Sequence, residues 1–417
     1  MFKLSLVYNQ SNYLIILIIL LNMYLLCGPL EELIMISSLY KYVFSILACL
    51  FLLIIYRKSG KKIDLNPVDS VMAFLIITNI IVRMCYLPFE SRSNYPGLSI
   101  YQVFFGVRYY ALPYLMIFLV FFKEIDITFI KNLVNVQYFL LFFAIFFECY
   151  FIVFFLDSEY FTWYSQFQVV NCFEISFPLI FFISHLSEKK AINFLSFLFL
   201  VLFLFLAANY GRRGITIDHL LYIIGGIVIK ISSSGYGKKV APYIFFLLIV
   251  LFIIFPFISD FLNNLYIFER GLDQDALSES REKVFNDFFN DFNSKSGWWF
   301  GRGFDGSFER SDTVYDTGLA DYVENGFLQV ILKMGLIFLI PMVYFLIKGF
   351  FLSYYKSSND LSKSIGLLLL IFLIGMFPFN VPDFSGKFLI IWVFISLAFS
   401  PKVRKFSNAD IIQIINS

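Results

Sequence analysis

Residues Asp321–Gly335 read DYVENGFLQVILKMG, and they join two unlike kinds of chain. Upstream, from Ser259, runs a long polar segment; downstream, an apolar run extends to residue 347. A helix needs about 20 apolar residues to cross about 30 Å of hydrocarbon. The run at 326–347 meets that length, so it reads as a transmembrane helix and the polar segment as a loop outside the lipid. Working outward, similar runs recur at 10–27, 40–56, 68–88, 101–122, 130–156, 171–187, 191–208, 215–231, 240–258, 364–381 and 386–400. The expected fold class is all-α: one polytopic integral membrane domain over 1–417, with roughly twelve transmembrane helices and one large extracytoplasmic loop at 259–325.

Composition agrees. The 417 residues are 59% hydrophobic and 15% charged, with 57 Phe, where soluble chains carry about 25% charged residues. The basic residues are dispersed at loop ends rather than gathered into a stripe, so no nucleic-acid partner is expected. Cys27, Cys49, Cys85, Cys149 and Cys172 lie in or beside apolar runs with no CxxC or Cys/His spacing, which suits buried helix packing. The first apolar stretch has no small-residue cleavage site after it and reads as an uncleaved span. Every second loop is rich in lysine, at Lys58 and Lys61, Lys123 and Lys131, Lys189 and Lys190, Lys238 and Lys239, Lys348 and Lys356, and Lys402 and Lys405. The positive-inside rule then sets both termini in the cytoplasm and the 259–325 loop outside.

Arginine follows a different pattern. Arg83, Arg92, Arg108, Arg212, Arg213, Arg270, Arg281, Arg302 and Arg310 all fall outside or in the outer half of a span, whereas Arg57 and Arg404 are inner. The guanidinium fork suits bidentate contact with carboxylate or phosphate. An anionic ligand at the outer face is one reading; an ordinary preference of outer loops for arginine is the other. Arg83, Arg108, Glu148, Glu174, Asp218 and Lys333 further read as charges within the outer part of the bilayer. Groups at that depth face a watery chamber or pair with one another.

The seventh run ends in NYGRRG, an outward turn with Arg212 and Arg213 against the charge rule. Glycines 211 and 214 permit close approach of a ligand to the backbone, and the free amides of the next helix add to an anion site. Asp218 and His219 follow one turn later. The turn reads either as a phosphate clamp or as arginines paired with Asp218 and the acidic loop. In the large loop, Val284, Phe285, Phe288, Phe289 and Phe292 have helical spacing over about 280–292. That helix is expected to lie along the membrane surface, with Arg281 in its first turn. GWWFGRGFDG, from Gly297 to Gly306, reads as a re-entrant turn with interfacial aromatics and Arg302 as a ligand contact; its GxG has no βαβ unit around it. Acids outnumber bases in the loop by 14 to 6, which is compatible with carbohydrate hydroxyls as ligands. DQD and the other spacings match no EF-hand or HExxH pattern, so no metal or cofactor is expected. Asp321 and Glu324 form a capping-box-like pair, leaving Glu324 either a helix cap or a general base at the chamber mouth.

Taken together, Arg213–Gly214 at a span end, Arg281 in an amphipathic helix, the turn glycines 301, 303 and 306, and Glu324-Asn325-Gly326-Phe327-Leu328 running to Gly335 resemble the bacterial O-antigen polymerase and O-antigen ligase superfamily. These are integral membrane glycosyltransferases acting on undecaprenyl-pyrophosphate-linked glycans. The resemblance covers roughly 205–345 by motif and the whole chain by topology. It implies Glu324, Arg281 and Arg213 as catalytic residues with Asn325 beside them; the reading of the residues above adds Arg212, Arg108, Arg302 and His219 as substrate-binding ones, with His219 an alternative to Glu324 as proton acceptor. Ligases of this family carry histidine where this chain has Glu324, a departure that points toward a polymerase. The implied partners are undecaprenyl-pyrophosphate-linked oligosaccharides, the lipid bilayer, a chain-length regulator and a flippase. A transporter of lipid-linked sugars is the competing class. Alternating access would require polar intramembrane positions in the inner half as well, and the sequence shows few beyond Lys230.

Overall fold

The computed structural model describes residues 16–21, 43–44, 46–47, 65–90, 113–114, 116–117, 127–155, 175–209, 213–233, 274–311, 318–378, 381–383 and 385–416. These are mostly helical, in the order α1 (Pro67–Glu90), α2 (Ile127–Phe155), α3 (Ser176–Phe182), α4 (Lys190–Asn209), α5 (Arg213–Ser233), α6 (Gln274–Lys295), β1 (Phe308–Glu309), β2 (Leu319–Ala320), α7 (Gly326–Met334), α8 (Leu336–Tyr355), α9 (Asp360–Gly375), α10 (Gly386–Phe399), α11 (Pro401–Lys405) and α12 (Asn408–Asn416). The two strands pair antiparallel, Phe308 opposite Ala320.

Helix starts follow local chemistry. Asn66 accepts from the Asp69 amide at 2.8 Å, with Pro67 in the first helical position of α1, where a missing N–H costs nothing. Asn359, Ser385 and Ser400 cap α9, α10 and α11 in the same way. Among the described residues, Pro67–Cys85, Gly214–Ser233 and Leu336–Tyr355 are long and apolar enough to cross a membrane; Ile130–Phe146, Lys190–Leu204 and Gly386–Phe399 are apolar but shorter. The expected span at 240–258 lies outside the described residues, as do most of those at 10–27, 40–56 and 101–122.

α8 packs on α1, α9 and α10, while α5 packs on α3, α4 and α9. Every residue of α10 is buried; a helix apolar all round belongs in the centre of a bundle. The backbones of α8 and α9 approach closely at Gly366, where a Cβ would meet Ser353 Cβ at 3.1 Å, the small-residue contact favoured between membrane helices.

Three expectations are corrected by these elements. The run at 326–347 is two helices, broken at Gly335, and the membrane-length one continues to Tyr355. Lys348, expected in an inner loop, is therefore inside α8, where its ammonium meets Asp69 of α1, which also accepts from Tyr344 Oη at 2.7 Å. Cys85, expected in helix packing, is exposed.

At the end of α8 remote from Gly335, a polar lattice ties the last elements together. Asn359 Nδ2 donates to the carbonyls of Val403 (2.9 Å) and Phe406 (3.1 Å). Buried Asp360 meets His185 Nε2 at 3.1 Å, Lys363 Nζ at 2.6 Å and Asn408 Nδ2 at 2.8 Å. Burial alone would raise the Asp360 carboxyl, yet the hydrogen bonds from His185, Lys363 and Asn408 and the Lys363 charge bring it down to about 2.

Candidate functional site

The loop between α6 and α7 is seated on the break between α7 and α8. Asn325 is the N-cap of α7: its side chain accepts from the Leu328 amide at 3.0 Å and donates to the Phe377 carbonyl at 2.8 Å. The Gly326 amide bonds Met376 O at 2.7 Å, so α7 starts against the end of α9. The capping-box expectation is thereby corrected. Asn325, not Asp321, caps the helix, and Gln329 holds the segment between β2 and α7: its side chain accepts from the Val323 amide at 2.8 Å and donates to Asp321 O at 3.3 Å. Glu324 precedes the cap and is exposed.

At its other end α7 stops at Gly335, whose φ of 73° is favourable only to glycine. The turn following α6 crosses it there. A Cβ on Gly301 (φ 71°) would lie 2.6 Å from Gly335 N and 2.7 Å from Lys333 C, and a Cβ on Gly335 would collide with Trp299 O. This proximity lets the loop satisfy the backbone groups that a helix break exposes. The Arg302 and Gly303 amides donate to the carbonyls of Leu332 (2.7 Å) and Lys333 (3.1 Å), and the Leu336 and Ile337 amides donate to those of Trp298 (2.8 Å) and Trp299 (3.1 Å). From α1, Asn79 Nδ2 donates to Met334 O at 2.9 Å, and one turn later Arg83 donates to the carbonyls of Phe300 and Gly301. Arg83, read from sequence as a chamber charge, is thus a clamp on the turn.

Lys333 and Asp305 are buried beneath this crossing. The Lys333 ammonium donates to Gly306 O at 2.8 Å and is attracted by Asp305 and Asp321. Among the described residues, no other residue donates a hydrogen bond to either carboxylate oxygen of Asp305. Burial pushes the Asp305 carboxyl above the usual range, against the pull of its own backbone amide, Lys333 and Arg83. The Phe304 ring beside it packs on Tyr114, which packs in turn on Phe338. Sequence reasoning passed over Asp305; the available signal was an acid between an aromatic residue and a glycine in a turn otherwise free of acids.

Arg302 is drawn inward as well. Its guanidinium donates to the Asp291 carboxylate, to Ser307 O at 2.7 Å and to Asp291 O at 3.1 Å, and lies 4.2 Å from the Phe292 ring centroid. This fork joins the turn to α6. The apolar face of α6 has the expected periodicity, but its occupant is protein: Phe288 and Phe292 are buried against Trp298, and Phe288 also against Phe308. The helix is also longer than the expected 280–292. Ala276, Leu277 and the acids Asp275 and Glu279 suit a helix start, so Arg281 falls in its third turn rather than its first.

The remaining site residues are distributed as follows. Arg213 opens α5. His219 is buried in the packing of α4 and α5, its Nδ1 2.9 Å from Ile215 O and its ring against Phe203 and Tyr222, with Asp218 buried beside it. Arg108 and Arg212 lie outside the described residues. Glu324 and Asn325 stand together at the start of α7, and Arg302 is at its far end, about 13 Å away along the helix axis. Among the described residues no cluster of three or more His, Cys, Asp or Glu could hold a metal ion. No family model, curated protein or solved structure matches this chain.

Proposed function

We propose that the chain is an oligosaccharide repeat-unit polymerase of the O-antigen, capsule or exopolysaccharide type, working at the outer face of a bacterial inner membrane with twelve spans and both termini cytoplasmic. The observation that supports this reading is the exposed carboxylate of Glu324, held at the N-terminal end of α7 by a loop that is itself locked into the α7–α8 break. Preorganisation of that kind is what transfer chemistry needs. The acceptor sugar hydroxyl attacks the anomeric carbon of the donor glycan while the bond from that carbon to undecaprenyl pyrophosphate breaks. Glu324 takes the hydroxyl proton, and Arg213 and Arg281 stabilise the departing pyrophosphate. One displacement inverts the anomeric carbon and needs no cofactor. Arg302 and Asn325, engaged in the internal bonds described above, support the site rather than the ligand.

The competing reading, a flippase, draws on charged groups in the inner half. Asp69 and Lys348 are such groups, but they are bonded to one another and to Tyr344, as a helix tie would be. Deleting the gene and resolving the surface glycan on a gel tests the proposal. A polymerase leaves single repeat units on the acceptor, restored to a ladder by the wild type and not by Arg213→Ala or Glu324→Gln. Long lipid-linked polymer without transfer would instead mark a ligase, and repeat units held on the cytoplasmic leaflet would mark a flippase.

A further inference from the structure

The Trp298–Gly306 turn carries a second property, independent of glycan chemistry: much of its backbone is bonded to other parts of the protein. Four consecutive carbonyls, from Trp298 to Gly301, accept from Leu336, Ile337 and Arg83, and the amides of Gly301, Arg302 and Gly303 donate to Gly297, Leu332 and Lys333. Irregular backbone at membrane depth is tolerated only where protein satisfies it, and these four carbonyls and three amides are satisfied in that way. The two side chains that this turn leaves open are Trp299 and Phe300, each 61% exposed.

The two helices to which this turn is bonded expose apolar side chains close to the bonded residues. Trp299 O accepts from the Ile337 amide, and one turn further along α8 Ile340 is 50% exposed, followed by Ile347, Phe351 and Tyr355 on the same face. Phe300 O accepts from Arg83, which is flanked on α1 by exposed Ile81, Val82 and Met84. Trp299 and Phe300 therefore continue the exposed apolar surfaces of both helices past the end of α8. Trp and Phe so placed gain free energy by leaving water.

We propose that this turn is immersed in the outer leaflet, with Trp299 and Phe300 against the acyl chains of the bilayer. The outer end of α8 and the buried Asp305–Lys333 pair then lie below the headgroups. The inference rests on the membrane reading of α1 and α8 alone.

A nitroxide on Phe300→Cys, in a full-length chain whose five native cysteines are replaced, tests it in reconstituted vesicles. Dissolved oxygen is expected to relax the label several-fold more than a water-soluble nickel complex, as it should for a label on Ile340→Cys, while Asp287→Cys reads the reverse. If Ile340→Cys reads as lipid and Phe300→Cys as water, the immersion is wrong. If Phe300→Cys is shielded from both relaxants, protein covers the patch and the proposal also fails. If Ile340→Cys itself reads as water, the membrane reading has failed first. In the chain with native cysteines, bromine on the acyl chains should quench the wild type more than Trp299→Phe; equal quenching would count against acyl contact.

Discussion

Gly335 and Gly318 both have positive φ, 73° and 64°, but Gly335 is also crossed by another backbone, whereas among the described residues a Cβ on Gly318 meets nothing within 4 Å. Gly318→Ala should therefore cost only the left-handed penalty of roughly 1–2 kcal/mol, whereas Gly335→Ala must also push the glycine turn off α7. Thermal melts in detergent should show a modest shift for the first and a much larger one for the second. Asp305 offers a second test. Its folded pKa is raised, so the fold binds the proton more tightly than the unfolded chain does. Its contribution to stability is greatest below the unfolded value and declines as pH rises through the folded one. Asp305→Asn is expected to remove that slope from the pH profile of the melting temperature.

At the scale of elements, α6 and the glycine turn act as one unit through Arg302. Arg302→Lys keeps the charge and loses the fork that spans the Asp291 carboxylate, Asp291 O and Ser307 O; a loss of about 2 kcal/mol is expected, the usual worth of hydrogen bonds to a charged group. Asn325→Ala removes the α7 cap, at about 1 kcal/mol, together with the link to Phe377. If the functional proposal holds, Asn325→Ala lowers the amount of polymer without shortening the ladder, whereas Glu324→Gln abolishes the ladder at unchanged protein level. The contrast, read on one glycan gel, separates support from chemistry.

Across the whole molecule, the glycine-turn crossing and the Asn359–Asp360 lattice sit at opposite ends of α8, about 30 Å apart along its 20 residues. The lattice end has its own pH signature. Asp360 has a folded pKa of about 2 against an ordinary 3.8, so its stabilisation is complete above the unfolded value and is lost as pH falls toward 2. Asp360→Asn should lower the melting temperature at neutral pH and flatten the acid limb. Substituting Asn408, which donates to the Asp360 carboxylate and accepts from its amide, should do the same in part.

How much of this was legible in sequence depends on whether a feature is local. Apolar run length marked the mostly helical fold and the three membrane-length helices among the described residues, and the Phe periodicity of α6 was readable because a helix repeats every 3.6 residues. Three things came only from tertiary structure: the break at Gly335, the inward use of Arg83 and Arg302, and the burial of Asp305. The reason is physical. An apolar run does not record where a backbone crosses it, and a guanidinium or carboxylate reads alike in sequence whether its partner is a ligand or a carbonyl over 200 residues away, as with Arg83 and Phe300. Sequence by itself determined that the chain is helical and apolar enough for a membrane; the contacts between distant segments decided which of its charges remain open to solvent.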